Sequence, residues 1–225
     1  LRRKQRAQPW SRDPTPGAAV IVATVALAGF GLLTAGVLFF PAFHDIDTQV
    51  SQIIRSIAIP GLEPLARLLS FVGQGRTMAA LTVLVAIWLL VRGMRPETVL
   101  LCTTMALGTL AGSVLKEVVD RARPGLEYAR IPVPDTYSFP SGHALTAFLF
   151  FGVLAFLSFV MARSVRVKFW AWLACTLAVF GVAMSRVYLG VHYLGDVVAS
   201  WMLGTVFLTL SVAVYVLWIT RMRER

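Results

Sequence analysis

From Ala18 to Phe40 the chain carries no charged residue and no proline, and a run of that length has few ways to fold. Roughly 20 apolar residues in a helix cross the hydrocarbon core of a bilayer, and in lipid only a helix or a closed barrel satisfies its own backbone. Further apolar runs lie at Thr77–Val91, Thr98–Val119, Ser141–Ala162, Phe169–Ser185 and His192–Ile219. Hydrophobic residues make up 57% of the chain and charged ones only 14%, with a mean hydropathy of +0.74. These features predict an all-α polytopic membrane protein with six transmembrane helices. The first run is too long for a signal-peptide core and lacks a clear small-residue cleavage site, so it is expected to remain as the first span. One six-span unit over 18–220 is expected, between a basic tail at 1–17 and a short basic end at 221–225.

Between the first and second spans the sequence is too polar to cross, and Pro60-Gly61 breaks it in two. Ile46, Val50, Ile53, Ile54 and Ile57 recur at helical spacing, and Leu65, Leu68, Leu69 and Val72 repeat the pattern. Two amphipathic helices at the membrane surface are the expected outcome. Gly108 and Gly112 in the third span form a small-xxx-small pattern that permits close helix approach.

The net charge of +10 would suggest nucleic acid on a soluble fold. Here the charges fall between apolar runs, so membrane topology explains them and no nucleic-acid partner is expected. Six spans put both termini on one side. That side holds thirteen basic residues against three acidic ones, which accounts for the whole excess, while the other holds eight of each. By the positive-inside rule the termini are cytoplasmic, and the 116–140 loop and the turn from Arg186 to His192 share the outer face. Cys102 and Cys175 lie inside apolar runs and offer no disulfide framework.

Three segments meet on that outer face: KEVVDRARP from Lys116, PSGH from Pro140, and SRVYLGVHYLGD from Ser185. Lys116, Arg123 and Arg186 are cations at the edge of a membrane, where charges are costly and mark functional paths. Together they call for an anion, and phosphate suits them. Each arginine offers a planar fork of donors and the lysine a point charge. Ser141 and Gly142 stand where the fourth span begins, so a hydroxyl, free amides and the positive helix end can hold the same oxygens. His192 and Asp196 are four apart at the start of the sixth span and are expected to share a helix face. The carboxylate would fix the imidazole tautomer and leave the other nitrogen to attack phosphorus, with His143 as general acid. Two histidines and an aspartate could also ligate zinc, but the surrounding arginines would repel a cation, so no metal or other cofactor is expected. His44 reads as an isolated loop histidine. Tyr128, Arg130 and Tyr137 could touch a headgroup or serve the loop alone.

Together the three segments resemble the signature of the type 2 phosphatidic acid phosphatase superfamily, K-x6-R-P, P-S-G-H and S-R-x5-H-x3-D. That superfamily includes bacterial lipid phosphatases, glucose-6-phosphatases and vanadium haloperoxidases. The resemblance implies a phosphohistidine mechanism with His192 as nucleophile, Asp196 as its partner and His143 as the acid. It implies Lys116, Arg123, Ser141, Gly142 and Arg186 as phosphate ligands. Two departures concern local geometry: Ala122 stands where many members have proline, and Leu194-Gly195 replaces a common proline-containing pair.

The expected function is a lipid phosphate phosphatase at the outer face of the cell membrane, its chains-in-lipid substrates being prenyl diphosphates, phosphatidylglycerol phosphate or phosphatidic acid. A transporter or binding protein for lipid phosphates would use the same cations but would not need the histidine–aspartate set. Halide oxidation does not suit so membrane-embedded a chain.

Overall fold

Lipid reverses the usual rule for apolar side chains, because a helix can leave a hydrophobic face outward and bury its polar or small residues. The computed structural model, which describes residues 16–57 and 59–224, follows this logic throughout. Its order is α1 (Pro16–Phe39), α2 (Pro41–Ser56), α3 (Leu62–Val72), α4 (Gly75–Val91), α5 (Arg95–Val119), a 3-10 turn (Leu126–Tyr128), α6 (Gly142–Met161), α7 (Val165–Tyr188) and α8 (Leu194–Arg223). Among the described residues all regular structure is helical. The basic tail expected at 1–17 lies outside the described residues up to position 15, as does Arg225.

Among the described residues, five helices, α1, α5, α6, α7 and α8, are long and apolar enough to cross a membrane. Helix α4 alone is short. It follows α3 across a two-residue break with a 56° bend, and the two together make the sixth candidate span. The surface helix expected at Leu65–Val72 is therefore tied to a span and does not lie apart from it.

At the centre stands α6, which packs against α4, α5, α7 and α8. Its buried Leu145, Leu149 and Val153 meet Leu101, Met105, Met78 and Leu203 in the main core. The glycine pair on α5 works as the spacing predicts. A Cβ on Gly108 would run into Leu149, and one on Gly112 would lie 2.6 Å from Leu145 Cδ2. Outward faces are apolar: Val25 and Leu32 on α1, Leu107 and Leu110 on α5, Trp170, Trp172 and Leu177 on α7. Hydroxyls inside the spans bond to the carbonyl one turn back, as with Thr34 to Phe30 (2.8 Å) and Thr205 to Trp201 (2.8 Å), which hides a polar group from lipid.

The amphipathic α2 shows the same reversal. Ile46, Val50, Ile53 and Ile57 are exposed, while Asp47, Ser51 and Arg55, at intervals of four, are buried against the bundle. In α3, Leu65, Leu68 and Phe71 face outward and Ala66 and Ser70 inward. Helix α2 thus turns its polar stripe, and α3 its small residues, toward the protein. Through this packing the C-terminal ends of α5 and α7 and the N-terminal ends of α6 and α8 come together with α2 at one end of the bundle.

Candidate active site

Helix α7 stops at Tyr188, and Gly190 (φ +76°) reverses the chain so that Val191 and His192 turn back into the protein. No other residue fits easily there, since the conformation is left-handed and a Cβ would collide with the carbonyl of Tyr128. His192 is 1% exposed. It lies outside α8, preceding the N-cap Tyr193, so the expected shared helix face with Asp196 is not what joins them. Asp196 sits at the third helical position. There its Oδ2 accepts the amide of Tyr193 (3.0 Å) and meets His192 Nδ1 (3.2 Å). The carboxylate caps the helix and the imidazole leans on the cap.

Two residues that the sequence did not single out complete this arrangement. Ser138 Oγ donates to Asp196 Oδ2 and lies 3.3 Å from His192 Nδ1. Arg121 Nη1 donates to Asp196 Oδ1 at 2.6 Å, while its Nη2 donates to Asp47 Oδ2 at 2.8 Å. With Nδ1–H directed at Asp196, the lone pair at Nε2 faces Arg123 Nη1, 3.1 Å away. The imidazole is pushed down to about 3, first by burial, with Asp196 opposing and Arg123 and Arg186 adding to the depression. At neutral pH it is therefore uncharged, with a lone pair at Nε2.

Backbone carbonyls hold Arg123 in place: Nε donates to Thr136 O (2.6 Å), Nη1 to Val191 O (2.7 Å) and Nη2 to Tyr137 O (3.3 Å). A fourth bond reaches Thr136 Oγ1 at 2.9 Å. Lys116, in the last turn of α5, donates to Tyr137 O at 2.7 Å. Arg186, in the last turn of α7, is 2% exposed and donates to Ser70 Oγ on α3. Lys116, Arg123 and Arg186 lie close enough to repel one another.

Ser141 is the N-cap of α6, followed by Gly142 and His143 as its first helical residues. Its carbonyl accepts Ser200 Oγ (2.9 Å) and its amide donates to Asp196 O (3.2 Å), which lock the starts of α6 and α8 together. Its hydroxyl is buried without a hydrogen-bond partner, as is Nε of Arg186. A Cβ on Gly142 would lie 3.8 Å from Lys116 Cε. His143 is half-buried in the same first turn, beside Gly73 at the α3–α4 bend. The eight residues singled out from the sequence thus stand at one end of the bundle, contributed by α5, the loop after it, α6, α7, the turn before α8 and α8 itself. His44 is elsewhere than expected: it lies on α2, its ring edge-on to Tyr193 with centroids 5.4 Å apart. Arg130 is used within the scaffold, bonding Tyr188 Oη (3.0 Å) and the carbonyl of Arg55 (2.7 Å).

The chain is 28% identical over 182 residues to phosphatidylglycerophosphatase B of Bacillus subtilis (strain 168), covering 80% of this chain and 88% of that protein. Over 172 residues it is 29% identical to an undecaprenyl-diphosphatase of Sulfolobus acidocaldarius, covering 75% and 78%. The crystal structure of a transmembrane PAP2-type phosphatidylglycerolphosphate phosphatase from Bacillus subtilis superposes with a TM-score of 0.75 at 24% identity. That match covers 84% of this chain and 93% of the other, and shows the shared fold. A model of the PAP2 superfamily matches residues 97–220, which hold all three motifs and more than half of the sequence, and the chain belongs to that superfamily.

Proposed function

We propose that this protein is a metal-independent phosphatase of membrane lipid phosphates, acting on its substrate from the outer face of the cell membrane. One observation carries the reading: a buried histidine backed by a carboxylate stands beside clustered cations and a helix start whose serine hydroxyl has no partner. Binding alone would need the cations; it would not need the dyad. A phosphoryl group brought to His192 Nε2 meets Arg123 at once, with Lys116, Arg186, Ser141 Oγ and the amides of Gly142 and His143 to share its remaining oxygens.

In the first step Nε2 attacks phosphorus. A P–N bond forms as the P–O bond to the lipid alcohol or to the outgoing phosphate breaks, and His143 gives its proton to the departing oxygen. Asp196 holds the Nδ1 proton and stabilises the positive ring. In the second step His143 takes a proton from water, whose oxygen attacks phosphorus and breaks the P–N bond. Phosphate and the original histidines are the products.

The relatives act on phosphatidylglycerophosphate and undecaprenyl diphosphate by name, and both are phosphates on a lipid whose chains stay in the bilayer. The outward apolar faces of α2 and α3 beside the site suit such substrates. We rank prenyl diphosphates and phosphatidylglycerol phosphate first and phosphatidic acid next. A phosphate-release panel over these lipids, with His192→Ala as control, tests the reading. The expected result is release from at least one lipid, an acid-labile phosphohistidine on quenching, and loss of both in His192→Ala. Equal release by His192→Ala, or lipid binding without any release by wild type, would overturn it.

A further inference from the structure

Helix α2 carries a buried polar stripe of Asp47 and Ser51 that does more than seat it on the bundle. The α8 N-cap residue, Tyr193, does not cap the first two helical amides with its own side chain. Instead the first two α8 amides are bonded from outside: Leu194 N donates to Ser51 Oγ (2.9 Å) and Gly195 N to Asp47 Oδ1 (2.8 Å). The other oxygen of Asp47 holds Arg121, whose second nitrogen holds Asp196. Arg121 and Asp47 are 7% and 6% exposed, and Asp196 is fully buried. The proline-free pair Leu194-Gly195 has a structural reason. Both amides are used, and a Cβ at 195 would lie 2.6 Å from Asp47 Oδ2.

We infer that Asp47 and Arg121 are positioning residues of the reaction, a relay by which α2 sets the rotamer and charge of Asp196 and through it the tautomer of His192. This rests on the reading of His192 as the nucleophile. Arg121 draws on the Asp196 charge, so less of it reaches the imidazole; Asp47 in turn shares Arg121. The geometry supports a relay because a guanidinium bridging two carboxylates fixes both in orientation. The other groups that bear on His192 are Arg123 in the loop, Arg186 on α7 and His143 on α6, with Lys116 on α5 acting on His143. Arg55 on α2 and Arg121 both lie over the ring of Tyr193, at 5.9 Å and 4.1 Å from its centroid.

The test uses the full chain in detergent micelles and four variants: Asp47→Asn, Arg121→Gln, their combination, and His192→Ala. Asparagine keeps an oxygen for the Gly195 amide and turns an amide donor toward Arg121, so the charge and the bond to Arg121 are lost together. Turnover of the best lipid from the release panel is measured with the His192 ring titration by nitrogen NMR, which three histidines keep tractable. Arg121→Gln should lower kcat about 100-fold with KM within about twofold, since charge-assisted bonds of this kind correspond to that range. His192 should then titrate at higher pH, because the whole Asp196 charge falls on it. Asp47→Asn should lower kcat about tenfold without that upward movement. The double variant should be no slower than Arg121→Gln alone, because Asp47 acts through Arg121. Wild-type kcat in folded Asp47→Asn, or losses that multiply in the double variant, would overturn the relay. Full activity in His192→Ala would instead overturn the nucleophile assignment on which it stands.

Discussion

Ser138 is fully buried and its hydroxyl reaches both members of the histidine–aspartate pair. Ser138→Ala removes a donor from Asp196 Oδ2 and leaves that oxygen with the Tyr193 amide and His192. A bond to a charged group is worth about 1.5–3 kcal/mol, so kcat should fall roughly 10- to 100-fold with KM little changed, measured as phosphate release. The sequence could not announce this residue. A serine in a polar, proline-rich loop is ordinary turn chemistry, and only the fold brings it to residue 196. Arg121 was hidden differently, since it balances an acid in any count of loop charges. Burial of His192 has a second consequence at this scale. Its folded value lies near 3 and the unfolded one at about 6.5. Between them the unfolded chain holds more protons, so this contribution to stability is complete above roughly pH 6.5 and drains away as pH falls toward 3. Thermal unfolding in detergent should show a steeper acid-side loss for wild type than for His192→Asn.

At the scale of elements, the spans were legible because a bilayer imposes length and apolarity on every one of them. Helix α4 was the exception. Its apolar run is short, and only the bent α3–α4 pair reaches the length of a span. The orientation of α2 was readable in principle: Asp47, Ser51 and Arg55 recur every fourth residue as clearly as the isoleucines do. A surface helix ordinarily turns its polar stripe to water, yet with lipid on the apolar side of α2 the protein is the other partner. The α5–α6 contact shows how an element controls the site. Gly108 and Gly112 let α5 approach Leu149 and Leu145, and Lys116 follows one turn later. Gly108→Val places two methyl groups into Leu149, an overpacking that costs about 1–3 kcal/mol. The variant should melt earlier, and its remaining folded fraction should show raised KM because Lys116 no longer stands beside Gly142. Active-site titration by phosphohistidine trapping separates the two effects.

Over the whole molecule, the path of the chain puts chemistry and charge excess at opposite ends. Helices α5 and α7 finish, and α6 and α8 begin, where His192 stands; the segments 92–95 and 163–168 and the end of α8 are at the far side. Among the described residues that far side holds seven basic residues against two acidic ones, and the site end is balanced. Positive loops resist translocation, with orientation set by short loops near the spans, so the site end should face outward. Single cysteines test this directly after Cys102 and Cys175 are changed to serine. Asp135→Cys and Arg163→Cys both replace exposed residues, one in the loop before α6 and the other between α6 and α7. A membrane-impermeant maleimide applied to intact cells should label position 135 and spare 163 until the membrane is permeabilised. Labelling of 163 alone would reverse the orientation and put lipid phosphate hydrolysis at the cytoplasmic face, where the same catalytic groups would meet a different pool of substrate.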